Sequence, residues 1–167
     1  MKATIKIDGG ILVGHDGSEA SATAVAWAAR HAARLGVSLH VIRAWTFTHA
    51  PRPATMQTGY VPPEADFEAA VLEKLTQQVA SMQLPAECDV KLHAVHGQSS
   101  DKLLETAVGA ELLVVGKRGA GGFRGLGFGS TADQVVRYAP CPVVVVPVHV
   151  ADEPTAPDSK LSPDAEG

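Results

Sequence analysis

Residues 116–130 read GKRGAGGFRGLGFGS, and the organisation of the whole chain depends on what this stretch is. Seven of its first fourteen residues are glycine, against sixteen in the whole protein. A strand-like run, Glu111 to Val115, leads into it and a helix-like run leads out. Glycine has no Cβ, so such a loop can bring its N–H groups against a ligand. The next helix adds unpaired N–H groups and a positive dipole end. Lys117, Arg118 and Arg124 contribute charge, and no acidic residue lies between Glu111 and Asp133. Strand, glycine loop and helix in this order are how α/β proteins hold phosphate. A plain surface loop is the alternative, and the flanking sequence has to decide.

Towards the N-terminus, Gly10 to Gly14 (GILVG) reads as a buried strand closed by the turn HDGS, His15 to Ser18, whose Asp16 or Ser18 can cap a helix. That helix is predicted over Glu19 to Leu35, with Ala20, Ala24, Trp27, Ala28, His31 and Leu35 on one side, and Gly36 as its C-cap. Val37 to Trp45 is a second strand with His40 and Arg43 as polar exceptions. Thr46 to Pro63 carries four prolines and no periodicity, so it is a long connection, expected near the ligand site. A helix over Glu64 to Met82 buries Phe67, Val71 and Leu75, with Leu72 and Val79 beside them. Cys88 to His96 alternates as a half-exposed strand near an edge. A third helix comes next, with Leu103, Leu104, Ala107 and Val108 as its stripe. Beyond the glycine loop, Ser130 and Asp133 resemble a capping box for a helix through Tyr138. Val143 to Val148 is a last strand, placed at an edge or a dimer seam because Pro147 cannot donate to a ladder.

Alternating strands and helices specify a doubly wound α/β fold, a five-stranded parallel sheet with helices on both faces. Ligands in such sheets sit at the carboxyl ends of the strands, where the strand order reverses. Both the HDGS turn and the glycine loop leave from carboxyl ends, so they can face each other.

Composition agrees. The 167 residues suit one domain, and with 46% hydrophobic but 5% aromatic residues the core must be Val, Leu, Ile and Ala. The net charge of −4 belongs to the end of the chain: thirteen acids balance thirteen bases up to residue 150, and five acids face one lysine after it. The expected organisation is a leader over 1–8, a domain over 9–149 and a disordered acidic tail over 150–167. A balanced body has no basic face for nucleic acid. No apolar run approaches the roughly 20 residues of a membrane helix, which makes a soluble, cytoplasmic protein the expectation. Cys88 and Cys141 form no CxxC pair, so free thiols are expected. His93 and His96 are three apart on a strand and so face opposite ways; no metal site is expected from the histidines.

The loop is neither a Walker A sequence nor a dinucleotide fingerprint, which would come after the first strand. It does resemble the universal stress protein family in its ATP-binding branch: Gly116, two residues, Gly119, nine residues, then Gly129 and Ser130. ILVGHDGS at the start and YAPCPVVVV at the end extend the resemblance over roughly residues 9 to 148. It implies a Rossmann-like, adenine nucleotide alpha hydrolase-like sheet of order 3-2-1-4-5. It also implies ATP cradled at its phosphates by Gly116, Gly119, Gly129, Ser130 and Thr131. Asp16 would contact the ribose or phosphate side, directly or through Mg, with Gly14 approaching the nucleotide and the backbone of Val41 holding adenine. The same resemblance implies a homodimer through Val143 to Val148. Neither a Ser-His-Asp order nor a HIGH-like transferase motif is present, which favours a regulatory nucleotide binder with at most slow hydrolysis. The alternative is a dimeric interaction protein of the same fold whose pocket takes no nucleotide.

Overall fold

The computed structural model describes residues 4–118 and 127–148. Gly119 and Arg124 lie outside these residues, as does the acidic tail. The elements alternate as β1 (Ile11–Gly14), α1 (Glu19–Leu35), β2 (Leu39–Trp45), α2 (Glu64–Ala80), β3 (Val90–His96), α3 (Ser99–Ala107), β4 (Leu112–Gly116), α4 (Ser130–Tyr138) and β5 (Val143–Val146). The strands form one parallel sheet of order β3-β2-β1-β4-β5. A single row crosses it through Leu92, Val41, Val13, Val114 and Val144.

Alternation along the strands divides the core in two. Ile11, Val13, Leu39, Val41 and Val114 face α1 and α2, where they meet Ala24, Ala28, Leu75 and Val79. Leu12, Ile42, Leu113 and Val115 face α3 and α4, against Leu103, Ala107, Ala132 and Val135. The central strand β1 is wholly apolar because both its faces are covered. Each fully buried Val, Leu or Ile contributes about 1.5–3 kcal/mol. Ile5 and Ile7, ahead of β1, pack on the α3/α4 side, and Gly9 N–H donates to the Gly109 carbonyl at 2.8 Å.

Local signals explain the element ends. The Ser18 hydroxyl caps α1 by accepting from the Ser21 N–H at 3.2 Å, and Gly36 ends the helix in the left-handed conformation, φ 67°. The buried side of α1 is turned from the expected one: Val25, Ala29 and Ala32 join Ala20, Ala24 and Ala28 inside, while Leu35 is 67% exposed. Trp27 and His31 stack on each other at 3.7 Å, half-buried. Val108 and Leu72 likewise face outwards, and the α3 stripe instead takes in Lys102 and Thr106. Small side chains let α1 come closer to the sheet than the large ones would, so the alanines decide which side goes in. Ser130 is the first residue of α4 rather than its cap; Gly129 holds the cap position, with no side-chain hydrogen bond to the helix end. β5 stops at Val146 because Pro147 comes next, two residues short of the expected strand.

α1 packs closely on the end of β4. A Cβ on Gly116 would lie 2.8 Å from the carbonyl carbon and oxygen of Ala20. Gly116→Ala is expected to destabilise the fold by about 1–3 kcal/mol through overpacking against a main chain that cannot move aside. The control Gly127→Ala, with nothing within 4 Å of the new methyl, should stay within about 0.5 kcal/mol. Urea denaturation of the two variants checks this.

Candidate functional site

A cleft of about 670 Å³ opens along the carboxyl ends of β1 to β4, reaching Gly14, Trp45, Gly97 and Gly116 on its floor and walls. It sits at the switch point, since β1 leads towards β2 and β3 on one side and β4 towards β5 on the other. Its size falls within the range of about 300–1,000 Å³ common to small-molecule sites.

One wall is the β1–α1 turn. His15 N–H continues the ladder to the Ile42 carbonyl at 3.0 Å, after which Asp16 swings out and Gly17 reverses the chain at φ 86°. Asp16 Oδ1 accepts from the Ser18 N–H at 2.9 Å and the Asp16 N–H donates to Ser21 Oγ at 3.3 Å, so the turn is fixed by its own polar groups. His15 is buried, and burial first, then the nearby Arg43 guanidinium, pushes its pKa down to about 4 against a smaller opposing pull from Asp16. At neutral pH the imidazole is uncharged.

The opposite wall is the start of α4. Gly129 N–H donates to the Lys117 carbonyl at 2.8 Å, and the first helical bond is Asp133 N–H to the Gly129 carbonyl at 2.9 Å. The N–H groups of Ser130, Thr131 and Ala132 therefore precede the helical ladder, the N-cap Gly129 offers no side chain to them, and all three residues line the cleft. This end of a helix attracts anions. Arg118 stands on the same wall.

The third wall is the end of β2 together with the start of the long connection. Ile42, Arg43, Ala44 and Trp45 line the cleft from the strand, and Thr46 and His49 from the connection. Trp45 is packed among Phe47, Phe67 and His96, stacking on the imidazole at 4.6 Å, and His96 Nδ1 lies 2.9 Å from Glu64 Oε1. Apart from Arg43, Thr46 and His49, this end of the cleft is apolar and aromatic.

Of the residues marked in the sequence, Gly14, Asp16, Gly116, Gly129, Ser130 and Thr131 are brought together around one cleft. Gly119 lies outside the described residues. Val41 is not on the cleft: it sits in mid-strand, fully buried against α1 and α2, with Val13 and Leu92 as its neighbours. The strand runs on to Trp45, so the wall that Val41 was expected to make is made by Ile42 to Trp45. Sequence reasoning also missed the β3–α3 turn, Gly97 to Ser99, which leaves a carboxyl end as the other two turns do. His40 and His93 stand in one polar contact, Nδ1 to Nε2 at 3.0 Å. No three His, Cys, Asp or Glu side chains converge as metal ligands among the described residues.

Residues 10–147 match the universal stress protein family. A Mycobacterium tuberculosis universal stress protein is 30% identical over 153 residues, covering 83% of this chain and 48% of its own. This chain spans about half the length of the first such relatives it matches. A Thermus aquaticus universal stress protein is 32% identical over 145 residues, covering 81% of this chain and 96% of its own. Among solved structures, a universal stress protein in complex with cAMP superposes with a TM-score of 0.58 at 26% identity, covering 87% of this chain and 100% of the other. No helix among the described residues is long and apolar enough to cross a membrane.

The depressed His15 makes stability depend on pH. The unfolded chain takes up the proton near 6.5 and the folded one near 4, so protonation favours unfolding between these values. His40 and His93, also lowered by burial first, act in the same direction. The thermal midpoint should be highest above pH 6.5 and fall as the pH drops towards 4. His15→Gln should flatten part of that fall in a series of thermal melts; an unchanged slope would place the titration elsewhere.

Proposed function

The chain belongs to the universal stress protein family, and we propose that its cleft binds an adenine nucleotide, ATP, as a regulatory ligand in the stress response. The observation that carries this is the uncapped N-terminus of α4 facing the Asp16 turn across the switch point. N–H groups at a helix start, two adjacent hydroxyls and Arg118 suit phosphate oxygens. Ile42, Ala44 and Trp45 at the strand end suit a base, with main-chain groups there for its edge. A relative of comparable fold holds cAMP, which supports the adenine class.

In this reading Gly116, Gly119, Gly129, Ser130 and Thr131 cradle the phosphates. Gly14 lets the nucleotide approach the end of β1, and Asp16 takes the ribose or phosphate side. Base recognition passes from Val41 to Ala44 and its neighbours. The phosphate wall offers donors and charge rather than a base to activate water, which supports holding the nucleotide over hydrolysing it quickly. The protein acts in the cytoplasm as a homodimer, pairing through β5. Among the described residues β4 is the one strand that pairs with it, and its Val143, Val144 and Val145 are half-exposed. The two cysteines, each unpaired, suit a reducing compartment.

Ser130→Asp separates binding from folding. A carboxylate at the first turn of α4 favours the helix dipole, so the melting temperature should hold or rise, while phosphate is repelled and ATP affinity falls by about tenfold or more. Titration calorimetry with ATP, AMP and cAMP reads the effect; unchanged ATP affinity in the folded variant would refute the site.

A further inference from the structure

We propose that the cleft holds a second subsite, for an oxyanion such as a carboxylate or phosphate group, on the opposite face of the sheet from the start of α4. The start of α4 belongs to the α3/α4 face, where Ala132 packs with Leu103 and Val115. The other face is lined differently. The His15 N–H bonds to the Ile42 carbonyl, one step beyond the pair of Gly14 and Ile42, so His15 stands beside Arg43. By strand alternation His15, Arg43 and Trp45 follow Val13 and Val41 towards α1 and α2. Trp45 packs there on Phe67 and Val71. Arg43 and Gln78 come together under the Gly17 turn, where a Cβ on Gly17 would lie 3.0 Å from Arg43 Nη1 and 3.6 Å from Gln78 Nε2. His15, Arg43, Trp45 and Val71 all line the cleft, so it extends onto this face.

Among the described residues four buried side-chain polar atoms lack a hydrogen-bond partner, and all four belong to this corner: His15 Nδ1, Arg43 Nη1, Trp45 Nε1 and Gln78 Oε1. Buried polar atoms are costly to leave unpaired, and a group of them asks for an explanation. A half-turn of the Gln78 amide brings Oε1 to where Nε2 stands, towards Arg43, and answers two of the four. His15 and Trp45 remain, at 4% and 3% exposure, each on the cleft wall. An indole N–H can only donate, so what Trp45 lacks is an acceptor. The neighbours decide its charge. At the His15 ring the Arg43 guanidinium outweighs the Asp16 carboxylate: burial and then Arg43 push the imidazole down to about 4, and Asp16 pulls back less. Asp16 Oδ1 is also turned to the Ser18 N–H. The corner is therefore electropositive, and the acceptor that suits it is anionic. The neutral His15 ring offers an N–H or a lone pair as its tautomer requires, so a carboxylate and a monoprotonated phosphate can both be met. A water molecule would supply the acceptor without the charge.

The test follows the indole N–H signals of the full chain in ¹H–¹⁵N spectra. The chain has two tryptophans, and Trp27, stacked on His31 along α1, serves as the reference. The Trp45 signal should shift saturably with sodium phosphate and with sodium acetate, and stay still, as Trp27 does, in sodium chloride of the same ionic strength. The His15 titration midpoint should rise from about 4, because a bound oxyanion favours the imidazolium. Arg43→Gln should weaken anion affinity about tenfold, the size of one charge-assisted contact. Should that variant fail to fold, Trp45→Phe keeps an aromatic ring and removes the donor, and the anion-induced rise at His15 should shrink. Saturating ATP should leave the acetate response in place. A Trp45 signal indifferent to both anions, or moving equally in chloride, overturns the proposal and leaves the corner to water. Loss of the acetate response with ATP also overturns it, since the oxyanion would then share the nucleotide's phosphate wall. Undiminished affinity in Arg43→Gln does the same.

Discussion

The contact between Gly116 and the main chain of Ala20 governs the geometry of this molecule. With no side chain between them, α1 lies directly on the end of β4. That places the turn entering α1 opposite the loop leaving β4, so two segments distant in sequence share one cleft. A methyl group at the glycine, or a larger residue at Ala20, would lift the helix and widen the cleft. The same glycine is also a site residue in the sequence pattern, which means that its packing role and its access role cannot be separated by mutation at that position.

The electrostatic character of the cleft comes from burial as much as from composition. His15 is pressed into the end of β1 and stays neutral, Arg43 is held beneath a glycine turn, and the uncapped end of α4 supplies partial charge from the backbone. A chain whose folded body is close to neutral overall thus carries basic groups and a helix N-terminus on its cleft.

Much of this is legible in the sequence because the relevant signals are local. Gly36 as a C-cap, the capping serine at Ser18, Pro63 before α2 and the apolar runs of β1 and β4 each state an element boundary, and those boundaries agree with the structure to within a few residues. Alternation of elements is enough for the sheet. What escapes is set by tertiary contact. Which side of α1 goes inwards depends on how close the sheet lies, so periodicity alone misplaces Leu35 and overlooks Val25. A main-chain contact leaves no side-chain signature, so the resemblance puts base recognition at Val41 although the strand reaches the cleft only from Ile42 onwards. Arg43 is visible as a charge in an apolar strand, but nothing in the sequence tells that it tucks under Gly17.

The position of β1 has a consequence for how the chain comes into being. Its partner on one side, β2, is complete within the first 45 residues, but its partner on the other, β4, begins only at Leu112. During synthesis a strand with no polar residue carries an unpaired edge until about two thirds of the chain has emerged, and such edges invite pairing with other chains. The distant pairing also raises contact order and slows folding. The residues that close this edge lead directly into the glycine loop, so the cover for β1 and one side of the cleft come from the same stretch of chain.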